Sequence, residues 1–268
     1  MFAESKQVER LRPLFFLPKI LTFHKLLPKF SWGITNYAPG RLKQLLTVMS
    51  DRGYRFIPLE ELLSRQPDDG VAITIDDGYH HLREVLPPLM DRFGIRPTVL
   101  VPTACVGRSN SWDYSHSLQN VPHLDSSGIK ELSSLGIRFG SHGHSHTDLT
   151  RLDDTELMDE MERSRGILED ITGTEVTAVS YPFGRCNDRV AGAASAAGYQ
   201  HGFTMAFPRP GDQPLAIGRH AVYGVDTCRS VLRKLTPGSG RRMEQMKCRM
   251  INACAIGTIT LNRLRRQY

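Results

Sequence analysis

The chain has no run of about 18 consecutive apolar residues, so nothing in it reads as a membrane-spanning helix. Cysteine is sparse and unpatterned. Cys105, Cys186, Cys228, Cys248 and Cys254 are odd in number and form no CxxC, which argues against a disulfide-stapled secreted domain and for a reducing compartment. No secretory leader is expected: "MFAESKQVERLRPLFFLPKILTF" carries Glu4 and Glu9 where a leader needs net positive charge. Its apolar run is broken by Pro13, Pro18 and Lys19, and no small-residue cleavage site follows. A cytoplasmic protein is expected. Internal repeats and low-complexity segments are absent too.

Acidic residues run out near the end of the chain. From Arg229 to Tyr268 there are ten Lys/Arg against one acid, Glu244, whereas the preceding 228 residues hold 24 basic and 27 acidic side chains. The net charge of +6 is therefore a property of the tail. No recognition motif accompanies that charge, so nucleic acid is not an expected partner. A break at "TPGSG" (236–240) separates the tail from the body. The tail, "GRRMEQMKCRMINACAIGTITLNRLRRQY", reads in two ways: a basic amphipathic helix making peripheral contact with anionic lipid, or an extension that packs on the body. With 268 residues, 40% hydrophobic and 23% charged, the chain can bury one large core or two small ones.

Between residue 19 and about 225, short apolar runs alternate with amphipathic helical ones. "KILTFH" (19–24) reads as a buried strand, "APGRLKQLLTVMSDRGY" (38–54) as a helix with Leu42, Leu45, Leu46 and Met49 on one face. "GVAITIDD", "PTVLVPT", "IRFGSH", "VTAVSYPFG" and "HGFTMAF" read as strands. "PLEELLSRQ", "YHHLREVLPPLMDRFG", "SSGIKELSSLG", "DDTELMDEMERSRGILEDITG" (153–173) and "DRVAGAASAAGY" read as helices. Such repetition predicts an α/β fold with a parallel sheet and helices outside, open or closed into a barrel.

In that architecture chemistry collects at strand ends. Three polar clusters fall there: Asp76–Asp77 in "TIDDGY", three histidines in "SHGHSH" (141–146), and "YPFG" (181–184). An Asp-Asp-Gly turn alone is usually only a turn, and alternate histidines alone fix no ligand set. Together they predict a metal hydrolase: two imidazoles and one carboxylate leave open positions for water and substrate, and a second carboxylate takes the water's proton.

These motifs, with an upstream "FH" (Phe23–His24) and a following "AGY" (197–199), resemble the polysaccharide deacetylases, the NodB-homology or carbohydrate esterase family 4 group. The resemblance runs from about Ile20 to about Val225. It implies a distorted (β/α) barrel and removal of N-acetyl (or O-acetyl) groups from a carbohydrate, in bacterial surface polysaccharide metabolism. It also implies one divalent metal ion, zinc with nickel or cobalt as alternatives. On the implied residue roles, Asp76 is the catalytic base and Asp77, His142 and His146 are the metal ligands, with His144 on a variable position. The Phe183 amide then holds the oxyanion. The corresponding domain division is an N-terminal extension 1–18, a catalytic domain 19–235 and a basic tail 236–268.

The chain departs from the common family pattern twice. Where many members carry an arginine before the "YPFG"-type motif, this chain has Ser180, and Arg219 is the candidate substitute. No late "LxH" supplies a general acid. The early "FH" instead matches a permuted subgroup resembling poly-β-1,6-N-acetylglucosamine deacetylases, which makes His24 the general acid and His220 the reserve. Tyr79, Trp112, Tyr181 and Pro182 are candidate substrate contacts, while His80 and His81 are expected to open a helix and face solvent or neighbouring loops. Two other readings compete: a deacetylase of a cytoplasmic nucleotide- or lipid-linked sugar precursor, and a catalytically silent carbohydrate-binding barrel.

Overall fold

A computed structural model describes residues 16–28, 34–109 and 121–266, with side chains through residue 252. Trp112 lies outside these residues.

The strands are β1 (Ile20–Phe23), β2 (Arg55–Phe56), β3 (Gly70–Asp76), β4 (Thr98–Val101), β5 (Arg138–Ser141), β6 (Ala178–Ser180), β7 (His201–Phe203) and β8 (His220–Ala221). Seven of them lie in the order β7-β6-β5-β4-β3-β1-β8, every neighbouring pair parallel, and β2 adds to β3. Between β7 and β8 the pairing thins to Phe203 opposite Ile217. There the Ile217 N–H reaches the Gly202 carbonyl at 2.8 Å and the Thr204 N–H reaches the Ile217 carbonyl at 2.9 Å. The same segment then pairs with β1 through Leu21–His220 and Thr22–Ala221. One short, irregular stretch thus closes the ring, and the fold is the expected distorted (β/α) barrel.

The helices are α1 (Pro39–Ser50), α2 (Leu59–Arg65), α3 (Leu82–Phe93), α4 (Ser126–Ser134), α5 (Asp154–Thr172), α6 (Asp188–Ala196), α7 (Cys228–Leu235) and α8 (Ser239–Arg266). Local chemistry sets their ends. Asp153 and Glu156 form a reciprocal capping box on α5, and Gly173 closes it in the left-handed region. Helix α3 runs unbroken through Pro87 and Pro88. The two-residue strands escape the sequence pattern because so few residues carry no readable period.

Alternation along the strands sorts residues into two sets. Leu21, Phe23, Val71, Ile73, Ile75, Val99, Val101 and Val179 belong to the main core shared with the helices. Ile20, Ala72, Leu100, Ala178, Phe203 and Ile217 form a second cluster, with Leu59, Leu62 and Leu63 of α2 packed against it. That second set is the barrel interior. Moving up each strand by two, it turns from apolar to polar: Thr22 then His24, Thr74 then Asp76, Ser180 and Arg219.

The tail does not stand apart from the body. Cys248 of α8 is buried with Phe207, Ala221 and Tyr223, the Tyr223 hydroxyl donates to Asn252 Oδ1 at 2.7 Å, and Lys234 of α7 and Lys247 of α8 both bond the buried Asp226. Of the two readings of the tail, packing on the body describes residues 239–252. No helix among the described residues is long and apolar enough to cross a membrane.

Candidate active site and metal centre

The polar end of the barrel interior is the candidate site. Asp77 sits just past β3 with φ +71° and Gly78 follows with φ +62°; a Cβ on Gly78 would lie 2.8 Å from Val101 Cγ2. This tight left-handed turn sends Asp76 and Asp77 to different partners. Asp77 faces the histidine loop: its Oδ1 lies 3.7 Å from His142 Nε2 and 3.6 Å from His146 Nε2. One donor atom from each of the three lies within 4.8 Å of the others.

This donor set fits a divalent cation. His142 Nδ1 donates to the Ser180 carbonyl at 2.8 Å, which leaves Nε2 with its lone pair toward Asp77, the arrangement expected of a metal-binding imidazole. Burial, helped by His142, pushes the His146 imidazole down to about 3 against the pull of Asp77, so it is neutral and able to ligate. Burial would raise the Asp77 carboxyl, but the neighbouring imidazoles of His24, His146 and His142 hold it below its ordinary value. Donors about 2.1 Å from a tetrahedral ion sit roughly 3.4 Å apart, close to the two separations above. His144 is directed elsewhere, its Nδ1 sharing a 2.8 Å hydrogen bond with Thr103 Oγ1.

Asp76 is held differently. Arg219 donates to its two carboxylate oxygens at 2.8 Å each, and Ser180 Oγ donates to Oδ2 at 3.1 Å. Arg219 also bonds Ser180 Oγ at 2.7 Å and Thr74 Oγ1 at 3.1 Å. Both members of the pair are sealed from solvent, at 0% and 1% exposure. Burial alone would raise the Asp76 carboxyl; the Arg219 guanidinium and the nearby His142 offset it and hold the group well below the usual carboxylate range. Arg219 thus places a guanidinium on Asp76, and Ser180, at the position of the missing arginine, joins the same network.

The register Phe23–Ile75 puts half-buried His24 level with Asp76. Burial lowers the His24 imidazole, with Asp76 and Asp77 pulling the other way, and its buried Nδ1 has no hydrogen-bond partner. Phe183 has φ +59° and its ring centroid lies 5.0 Å from that of His146. The amides of Gly184 and Arg185 are spent on the Tyr181 and Pro182 carbonyls, and neither bond uses the Phe183 amide.

Other candidates do not reach into the cleft. His220, the reserve acid, is one residue out of phase with Arg219 and so points out of the barrel, edge-on to Phe207 at 5.0 Å and lowered to about 3 by burial. Tyr79 stacks with His81 and with His123, at 5.9 Å and 4.8 Å, and is 1% exposed, which leaves no face for a sugar. Tyr181 is fully buried and its hydroxyl donates to the Leu215 carbonyl at 2.7 Å. Pro182 is buried beside Gly143. These three build the wall of the site. Of the surroundings expected for His81, the neighbouring loop is what it meets: its Nε2 accepts the Leu26 N–H at 3.1 Å and burial lowers it to about 4. Sequence reasoning passed over Glu160, a buried acid on the apolar face of α5; its only signal was that breach of pattern.

A parallel barrel thus carries a buried Asp-His-His set able to hold a metal ion and, at the same strand ends, a second carboxylate locked by a guanidinium. The sequence profile of the polysaccharide deacetylase family matches residues 64–202, and the chain belongs to this family, the NodB-homology group. YxkH of Bacillus subtilis (strain 168), named as a polysaccharide deacetylase, is 28% identical over 183 residues, 66% of this chain. The match spans 60% of YxkH's own length. The fold is similar to that of the Streptococcus pyogenes deacetylase PplD in complex with acetate (TM-score 0.71, 23% identity, 84% of this chain and 100% of that one). It is also similar to IcaB from Ammonifex degensii (TM-score 0.66, 20% identity, 88% and 97%).

Proposed function

We propose that this chain is a metal-dependent hydrolase that removes N-acetyl (or O-acetyl) groups from a carbohydrate, in bacterial surface polysaccharide metabolism. The observation that carries the reading is the division of labour between adjacent carboxylates: Asp77 faces two imidazoles, while Asp76 is held ionised by Arg219. Asp77, His142 and His146 would hold one divalent ion, zinc with nickel or cobalt as alternatives. When bound, such an ion acidifies water and polarises the acetyl carbonyl. Asp76 takes the proton of the attacking water, and Arg219 and Ser180 fix its orientation. The Phe183 amide donates to the oxyanion, a contribution of about 3–4 kcal/mol where such donors are preorganised. His24 delivers a proton to the departing nitrogen as the C–N bond breaks, yielding acetate and a free amine. The silent-barrel reading leaned on the absent motif arginine, and the Arg219–Asp76 pair speaks against it.

A second reading keeps the chemistry and places the substrate on a lipid-linked precursor at the inner face of a membrane. Met243, Met246 and Met250 are 60%, 63% and 70% exposed on α8, with Arg242 and Arg249 exposed beside them. That combination of apolar and cationic side chains suits peripheral contact with anionic lipid.

The test is acetate release from a panel of acetylated polymers, oligosaccharides and nucleotide- or lipid-linked precursors, with and without chelator. Release that chelator abolishes is expected. A protein that binds zinc, nickel or cobalt yet releases no acetate from any of them would leave the binding-module reading in its place.

A further inference from the structure

The loop between the two histidine ligands does not hold its own shape. Gly143 has φ +74° and His146 φ +57°. For a residue with a side chain the left-handed region costs about 1–2 kcal/mol, and such a conformation persists only when its surroundings over-determine it. Two surfaces do so here. On one side, the Gly143 and His144 carbonyls accept from the Thr103 and Ala104 amides at 3.2 and 2.9 Å. The His144 ring adds its bond to Thr103 Oγ1.

On the other side, the N–H groups of His144 and Ser145 converge, and consecutive amides in such a turn form an anion-receptive concavity. The anion that fills it is the side chain of Glu160. Its Oε2 accepts from the His144 N–H at 2.7 Å and the Ser145 N–H at 3.0 Å, and its Oε1 accepts from the Ser145 N–H at 3.1 Å. A Cβ on Gly143 would lie 3.2 Å from Oε2, so a side chain there would press on the carboxylate. Glu160 shares its buried helix face with Leu157, Met161, Ser164 and Leu168. An acid in that stripe is costly unless paired, and the donors it finds lie between the two histidines.

We infer that Glu160 is a positioning residue for the metal centre: by clamping the His144 and Ser145 amides it sets how the His142 and His146 rings face Asp77, and so sets the affinity of the site for a divalent cation. The inference rests on the ligand assignment proposed above. Alanine would leave two amides without their acceptor and free the loop to relax. Aspartate keeps the charge but, one methylene shorter, falls short of the amides. Glutamine keeps the reach but offers one acceptor oxygen and turns an N–H₂ toward a donor.

The experiment is Co(II) titration of the full metal-free chain, read by chelator competition and by the visible d–d spectrum, which reports ligand geometry directly. E160A and E160D should bind Co(II) about 10–100-fold more weakly with an altered spectrum, and E160Q should fall between them and wild type. R165A is the comparator. Arg165 lies on the same helix, bonded to the Ala197 carbonyl and Glu169, so its loss should lower thermal stability and leave Co(II) affinity and spectrum unchanged. E160A with wild-type affinity and spectrum overturns the inference, as does R165A losing affinity in step with E160A. Should E160A fail to fold, a folded E160Q with unaltered affinity overturns it equally. Wild-type protein that binds no Co(II) removes the ligand assignment itself and the inference with it, a result distinct from the others.

Discussion

Replacing Arg219 by methionine tests whether the guanidinium is the device that keeps Asp76 ionised. Methionine approximates the aliphatic stem and removes the charge, two 2.8 Å bonds to Asp76 and the bonds to Ser180 and Thr74. Neither partner of the pair can turn to water, at 0% and 1% exposure. Breaking a buried pair from one side costs about 3–5 kcal/mol, because the other charge stays behind. For a domain of this size, at about 2–4 °C per kcal/mol, the melting temperature of the metal-free protein should fall by roughly 10 °C at neutral pH. The pH dependence carries the sign. In the wild type the depressed Asp76 carboxyl contributes stability above its unfolded value of about 3.9, lost as pH falls through the lower folded value. In R219M burial acts without the guanidinium and pushes the carboxyl above 3.9. The deficit of the variant should therefore be largest near neutral pH and shrink toward pH 4. Calorimetry of both proteins from pH 4 to 8 measures this, and acetate release should fall at least about 100-fold with the loss of an ionised base. An R219M protein that melts within 2 °C of wild type at pH 7 by the same ~2–4 °C per kcal/mol scale, or whose deficit does not vary with pH, refutes the reasoning.

Asp76→Asn should retain Co(II) and lose acetate release, whereas His142→Ala and His146→Ala should lose the metal; His144→Ala should keep most of it, since its ring is engaged with Thr103. Equilibrium dialysis separates these outcomes, and loss of metal in the His144 variant equal to that of its neighbours would contradict the ligand set. Asp226, buried between Lys234 and Lys247, is held below the usual range by those lysines against the effect of burial. Asp226→Asn should cost about 3–5 kcal/mol in urea unfolding at pH 7, with the wild-type advantage lost as pH falls below about 3.9. Sedimentation with anionic vesicles should pull down the wild type and fail for Met246→Glu/Met250→Glu; equal binding to neutral vesicles would remove the case for a cationic membrane face.

Much of the barrel was readable because a parallel strand buried on both faces is a short apolar run bounded by turn residues. The two carboxylates and the outer pair of histidines stand where those runs end, and the barrel brings Asp77, His142 and His146 together. The reading failed where phase or long-range packing decides. "GRH" at 218–220 offered both Arg219 and His220, and a one-residue slip exchanges the inward and outward side chains. A strand of two residues has no period from which to read that phase. Tyr79 looked like a rim aromatic because nothing local shows that His123 stacks on it. In the tail, the charge excess drew attention to the exposed side of α8, while Cys248 and Asn252, which dock it, are unremarkable letters in the sequence.

The origin of Arg219 ties the chemistry to the weakest part of the fold. The position before the third motif is filled by Ser180, at the end of β6 within the sheet. Here the guanidinium comes from the segment that closes the barrel, between the thin pairing at Phe203–Ile217 and the two-residue pairing with β1. Its Nε reaches the Thr204 carbonyl beyond β7, one Nη reaches Thr74 on β3, and the Arg219 amide bonds the Ala206 carbonyl. The residue that orients the proposed base therefore also stitches the seam from inside, where backbone pairing is sparse. Thr22 and Thr74, whose hydroxyls meet at 2.9 Å, lie directly beneath, so the interior polar network spans β1, β3, β6 and the closing segment as one unit. A bond to Asp76 from an interior strand would orient the carboxylate equally well and leave the seam unfastened. Supplied from position 219, it makes closure of the barrel and ionisation of the base a single structural event.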